Sequence, residues 1–224
     1  TENINIIDLE KTCSIEGLTD NPSSVIIDGN ANGSVLTIDG GSENITYSIV
    51  NLTLQNGLTN NKGAGINKSG QSNLDLYNVH IHGNHVVGNS AFNYGAGISL
   101  VNGYYTTEVS LTDCIISENT LSGASVYGYG GAIYKGSEIF TMDGCVVSNN
   151  YSDWGSGIYE SASNGQITIL NSEFLNNHGN EVLSTSSRLD IQNSKFQNNE
   201  GSSVVIGTSS TSENHIFTKE RFLL

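Results

Sequence analysis

Two stretches near the C-terminal end decide the fold: ITILNSEFLNN (167–177) and LDIQNSKFQNN (189–199). Both run apolar, polar, apolar, then meet an Asn, then resume alternation in a new phase that places Phe174 and Phe196 at the eighth position. Strict alternation has the period of a half-buried β-strand, and a change of phase between two alternating runs requires a corner. The same eleven-residue block recurs as LDLYNVHIHGN (74–84), VSLTDCIISEN (109–119) and FTMDGCVVSNN (140–150), and YSIVNLTLQNG (47–57) fits in front of them.

Positions one, three and eight are apolar in every copy, for example Ile167, Ile169 and Phe174, and are assigned to the interior. Position five is Asn51, Asn78, Asp113, Gly144, Asn171 or Asn193, the three residue types that best tolerate a left-handed backbone, and forms a structural corner ladder. Position eleven shows a similar restriction (Gly57, Asn84, Asn119, Asn150, Asn177, Asn199) and is expected to hold a second left-handed corner. A third strand should begin after KGAGI (62–66), YGAGI (94–98), YGGAI (129–133) and WGSGI (154–158), where glycine suits a tight bend.

Successive blocks lie 22 to 35 residues apart, the spacing of a solenoid whose units bury their inward side chains only by stacking on neighbours. The expected fold is all-β, a right-handed parallel β-helix of about eight coils with three short parallel sheets. It should form a single domain over residues 1–224, with a repeat core over about 12–206 and a tail, 207–224, whose HIFTKERFLL leaves the repeat and acts as a cap or docking segment.

The GGAI signal followed by a strand and F-x-N-N, with the leading VIIDGNANGSVLTIDGG, resembles the polymorphic outer-membrane protein repeats of bacterial autotransporters. It is also similar to adhesin-like surface proteins of bacteria and methanogenic archaea, within the wider pectin-lyase-like group of right-handed β-helices. The resemblance covers roughly residues 12 to 206 and rests on corner and core residues. It implies an exported protein displayed outside the cell or on its surface, often in adhesion, whose leader is not part of this sequence.

A formal charge of −14 with only eight Lys and Arg argues against nucleic acid and anionic membranes, which need clustered cations. Lys62, Lys68, Lys135, Arg188 and Lys195 read as scattered rather than striped. No apolar run reaches the roughly 20 residues of a transmembrane helix. Three Cys leave at least one thiol unpaired, and Cys114 and Cys145, both at position six, read as buried free thiols.

Candidate chemistry is sparse. His80, His82 and His85 form the densest metal-capable group, but Thr53, Gln55, Ile115 and Ser117 flank the histidine pair in adjacent coils, so a solvated strand face accounts for them and no metal is assigned. Asp113 and Asp143 fall near one corner at a spacing glycosidases use, yet the corner explains Asp113 first. Pectin-lyase-like enzymes that cleave acidic glycans pair carboxylates with a basic residue, and neither Arg188 nor Arg221 stands beside an Asp cluster. No catalytic residue and no cofactor are assigned.

The insertions are richer. They bring Phe92, Tyr94, Tyr104, Tyr105, Tyr127, Tyr129, Tyr151 and Trp154 onto three adjacent coils, and exposed aromatic faces suit sugar rings or a protein surface. The expected function is a non-catalytic surface, adhesion or structural module that presents these loops to a glycan or protein and assembles through its ends into homo-oligomers or filaments. The alternatives are a carbohydrate-binding module and a polysaccharide lyase or hydrolase.

Overall fold

The computed structural model describes residues 3–7, 11–40, 45–88, 92–101, 107–123, 127–207, 216–218 and 221–223. Its strands are built almost entirely into parallel sheets, and the one helical element among the described residues is a single 3-10 turn, Pro22–Ser24. An eight-stranded parallel sheet takes one strand from each repeat: Ile4–Ile7, Leu36–Asp39, Ile66–Ser69, Ile98–Val101, Ile133–Lys135, Ile158–Glu160, Glu181–Thr185 and Ser202–Ile206.

The eleven-residue blocks make a second, 14-stranded sheet. Thr46–Gln55 and Asn73–His82 run through the corner as single strands, whereas later copies break there, as in Gln166–Leu170 followed by Glu173–Leu175. Because two strands pass unbroken through the corner, the two expected short sheets join into one curled sheet. The insertions add two smaller sheets, Leu58–Thr59 with His85–Val87 and Thr120–Ser122, and Phe92–Tyr94 with Tyr127–Tyr129.

Register is block on block: Ile167 faces Leu189, Ile169 faces Ile191 and Phe174 faces Phe196. Like side chains therefore pile into columns, and the Phe174 and Phe196 rings stack with centroids 4.6 Å apart and planes 2° from parallel. One apolar column cluster runs from Ile6 through Leu76 and Phe140 to Phe196. Each fully buried Leu, Ile or Phe in it contributes roughly 1.5–3 kcal/mol.

Position five is left-handed in all six copies, with φ of 56° at Asn51, 50° at Asn78, 54° at Asp113, 65° at Gly144, 49° at Asn171 and 53° at Asn193. The second left-handed corner falls one residue before the expected place. It lies at position ten, in Asn56, Gly83, Glu118, Asn149, Asn176 and Asn198, with φ between 54° and 63°.

Position eleven does something else. Asn84, Asn119, Asn150 and Asn177 are fully buried and point inward. Each side-chain NH2 donates to the next Asn of the column, Asn84 to Asn119, Asn119 to Asn150 and Asn150 to Asn177, all at 3.0 Å, and Asn177 to Asn199 at 3.1 Å. The same nitrogen donates back to a strand carbonyl of the preceding repeat, as Asn150 does to Ile116 at 2.9 Å. The side-chain oxygen accepts the backbone N–H of the residue below it, as Asn150 does from Asn119 at 3.0 Å.

The described parts of the tail stack on the last block. Ile216–Thr218 pairs with Asp190–Gln192, and Arg221–Leu223 with Lys195–Gln197, with Phe217 in backbone register with Ile191 and Phe222 with Phe196. Residues 216–218 and 221–223 thus pair with positions two to four and seven to nine of the block, and Lys219 stands in the sequence where earlier copies have Asn, Asp or Gly. That substitution hid the tail from the corner pattern.

Candidate binding surface

The motifs KGAGI, YGAGI, YGGAI and WGSGI form a third bend. Their first glycines, Gly63, Gly95, Gly130 and Gly155, have φ of 56°, 51°, 78° and 60°. A Cβ at Gly95 would stand 2.0 Å from the Ile98 carbonyl oxygen, so the chain turns too tightly here for a side chain.

The residue before each glycine faces outward, and parallel bridges link Lys62 to Tyr94 and Tyr129 to Trp154, with Tyr94 and Tyr129 paired in register. One cation and three aromatic residues thus stand in a column at the rim of the bend. On the other side of the bend, the eight-stranded sheet puts Ile133 and Ile158 in the core and Tyr134 and Tyr159 on its opposite face, where Tyr134 is itself buried against neighbouring rings.

The two columns interlock. Tyr94 packs on Tyr134 of the following repeat with centroids 4.3 Å apart, and Tyr129 packs on Tyr159 of the following repeat at 4.6 Å. Tyr134 and Tyr159 stack at 6.0 Å, Tyr94 and Tyr129 at 6.3 Å, and Tyr127 leans on Tyr129 at 6.5 Å. Exposure grades from 8% at Tyr134 to 61% at Tyr127. Burial first, then neighbouring charges, push the phenols of Tyr94, Tyr129 and Tyr159 up, and burial carries Tyr134 to about 12. All four stay neutral hydrogen-bonding groups at physiological pH.

Of the aromatic residues singled out from sequence, Tyr94, Tyr127 and Tyr129 join this surface directly and Trp154 borders it. Tyr151, 44% exposed, stands elsewhere, bridged to Thr120 and His178. The Phe92 backbone pairs with Tyr127, its side chain lies outside the described residues, and so do Tyr104 and Tyr105 entirely. Tyr134 and Tyr159 were missed, although their place directly after the inward Ile of GGAI and GSGI marks them as outward.

Two carboxylates border the tyrosines. Asp153 accepts the backbone N–H of Gly128 at 2.9 Å and helps raise the Tyr129 phenol. Glu181 helps raise that of Tyr159, and one of its oxygens is buried without a hydrogen-bond partner among the described residues.

The interior behind this surface holds charge that the sequence reading did not place. Lys68 and Lys135, read as scattered cations, are 1% and 0% exposed and occupy one inward column of the eight-stranded sheet with Glu160. Lys135 forms a buried ion pair with Glu160, whose other oxygen accepts the Thr185 hydroxyl. Gly165 makes room, since a Cβ there would lie 2.5 Å from the Glu160 carboxylate. Glu138 is fully buried, neither of its oxygens has a hydrogen-bond partner among the described residues, and burial pushes its carboxyl up.

The remaining candidates sit apart. His80 lies beside Thr53 and Ile115, and His82 beside Gln55 and Ser117, in the 14-stranded sheet. His85 belongs to a different sheet, its Nε2 2.9 Å from the Ser122 hydroxyl. No group of three or more His, Cys, Asp or Glu that could hold a metal occurs among the described residues. Asp143 is engaged by the Asn171 amide at 2.8 Å. Cys13, Cys114 and Cys145 are all free thiols.

A cleft of about 390 Å³ is lined by Asp28, Asn56, Leu58 and His85. Asp28 is held ionised by the amides of Gln55 and Asn56 and the N–H of Asn30, which brace the corner. No helix among the described residues is long and apolar enough to cross a membrane. Comparison with family models, curated proteins and solved structures gives no match to this chain.

Proposed function

We propose that this chain is a non-catalytic module of an extracellular or cell-surface protein, wound as a right-handed parallel β-helix of the pectin-lyase-like kind, that presents an aromatic surface to a glycan. The observation that carries this reading is the interlocked set of Tyr94, Tyr127, Tyr129, Tyr134 and Tyr159, in which Tyr127 is 61% exposed. Rings fixed by neighbouring rings on an in-register sheet lose little rotamer freedom on binding, and each offers an apolar face edged by a polar hydroxyl. That combination matches the alternating C–H faces and hydroxyls of a sugar.

Adhesion follows from repetition of such contacts along a rigid scaffold, and outer edges of the two large sheets supply backbone donors and acceptors for assembly with further copies. A glycan array with the intact chain tests the reading. We expect binding that Tyr127→Ala and Trp154→Ala each weaken about tenfold or more while the unfolding midpoint stays close to that of the parent. An array blank across neutral, acidic and basic glycans removes it.

A further inference from the structure

Lys135, Glu138 and Glu160 meet in the interior. Lys135 closes the strand Ile133–Lys135, Glu138 directly precedes Ile139–Asp143, and Glu160 ends the next strand of the eight-stranded sheet, in register with Lys135. The Lys135 and Glu160 side chains are in direct contact and wholly out of solvent. A Cβ placed on Gly165 would stand 2.5 Å from Glu160 Oε1, 2.7 Å from Lys135 Nζ and 3.0 Å from the Glu138 backbone carbonyl, so these groups border the space that this glycine leaves open.

Each of the three has a distinct setting. Glu160 offers Oε1 to Lys135 Nζ, while its Oε2 accepts the Thr185 hydroxyl. Lys135 Nζ also donates to the Gly136 carbonyl at 3.1 Å, which holds the nitrogen in place. Glu138 is 0% exposed and neither of its oxygens has a hydrogen-bond partner among the described residues. Burial raises its carboxyl, and Lys135 and then Lys68 are the charges that oppose the rise, so it is a proton carrier within the field of the pair.

An amine fixed against a carboxyl group reacts as if at roughly 10⁵–10⁸ M. In water, amide condensation is opposed by the stability of the two ions and by bulk water; a dry interior disfavours the ions and holds no bulk water to reverse the reaction. We propose that Lys135 and Glu160 condense to an amide, an internal cross-link between neighbouring coils formed by the protein on itself. A proton passes from the Lys135 ammonium to Glu160 Oε1, and the freed Nζ lone pair attacks Cδ. The C–N bond forms as charge moves onto Oε2, where the Thr185 hydroxyl stabilises it. Glu138 then gives its proton to the departing Oε1 hydroxyl and takes one back from Nζ, the Cδ–Oε1 bond breaks, and one water leaves. No oxidant or second reactant is needed, and Glu138 ends as it began. Freshly folded chain holds the pair as ions, so unfolding measured before condensation reads the ion pair alone.

The test is mass spectrometry of the full chain, followed over time after folding at neutral pH. We expect the intact mass to fall by one water, and protease mapping to recover a branched peptide that joins Lys135 to Glu160, with no tryptic cut after Lys135. Lys135→Arg, which keeps the charge and cannot condense, should retain the full mass. Glu138→Gln should slow the loss at least about hundredfold while leaving the circular dichroism spectrum unchanged, and Glu138→Asp should restore part of the rate. A chain that keeps its full mass overturns the cross-link. A lost water that maps to Asp28–Gly29 or Asp143–Gly144, as a cyclic imide, overturns it equally. Condensation of Glu138→Gln at the parent rate overturns the proton transfer assigned to Glu138.

Discussion

The interior contains two polar regions of opposite character: the column of Asn84, Asn119, Asn150, Asn177 and Asn199, and the ionic group of Lys68, Lys135, Glu138 and Glu160. In the first, each member repeats the bonds of the one before it, so burial of an amide is offset by identical bonds above and below. In the second, nothing repeats among the described residues: Lys135 meets Glu160, Lys68 donates to the Gly70 carbonyl at 3.4 Å, and Glu138 is left without a hydrogen bond there. Translation satisfies polar groups in a stacked sheet when the residue type is repeated, and charge defeats it because like charges in one column repel.

The contrast can be broken most strongly at the ion pair. Lys135→Met alone should cost about 3–5 kcal/mol in denaturant titrations, because it strands Glu160 in the interior, whereas Lys135→Met combined with Glu160→Leu should return stability to within about 1 kcal/mol of the parent. If the single and double replacements unfold at the same denaturant concentration, the pair is not the unit described here.

The asparagine column comes next. Asn150→Ala orphans the Asn119 N–H and the Ile116 carbonyl and should cost roughly 2–4 kcal/mol. The same change at Asn199, at the end of the described column and only partly buried, should cost less than half as much, and equal costs would mean that the column is not cooperative.

Titration sharpens the difference further. Burial lowers the Lys68 ammonium from 10.5 to about 8, so the unfolded chain holds that proton more tightly and stability should rise as pH climbs from about 8 to 10.5, by up to about 3 kcal/mol. Glu138, which faces Lys68 and Lys135 and is raised by burial above 4.5, acts in the opposite sense: its contribution is complete below pH 4.5 and is lost as pH rises toward its folded value. Lys68→Met should flatten the alkaline rise and Glu138→Gln the acidic fall, each read from unfolding free energy against pH. Corner replacement gives the smallest effect. Asn171→Ala, at φ 49°, should cost about 1 kcal/mol and Asn171→Gly a few tenths, measured by thermal unfolding.

The inward columns and the position-five corners were legible because each pairs a strict period with a narrow residue choice. Position eleven misled for a physical reason: asparagine tolerates the left-handed region and also bonds well along a stack, so composition alone does not separate the two uses. Glu118 and Gly83 at position ten blurred the true corner, since glutamate is a poor left-handed residue. Tyr134 and Tyr159 were within reach of the alternation rule, one step past a recognised inward Ile. Lys68, Lys135 and Glu160 obey the same rule two steps past it, but charge argues against burial until the partners across the strands are seen. The contacts that make the tyrosine grid depend on which repeats are neighbours in space, which insertions of varying length conceal.

The asparagine column also has a direction. From Asn84 to Asn177 each amide nitrogen hands one hydrogen to the oxygen of the next higher-numbered Asn, so the small dipoles line up head to tail like beads strung the same way. The first oxygen of the string, on Asn84, accepts the Gly57 N–H, and the amide of Asn199 donates back to the Phe174 carbonyl, so the string is satisfied at both ends within the chain itself.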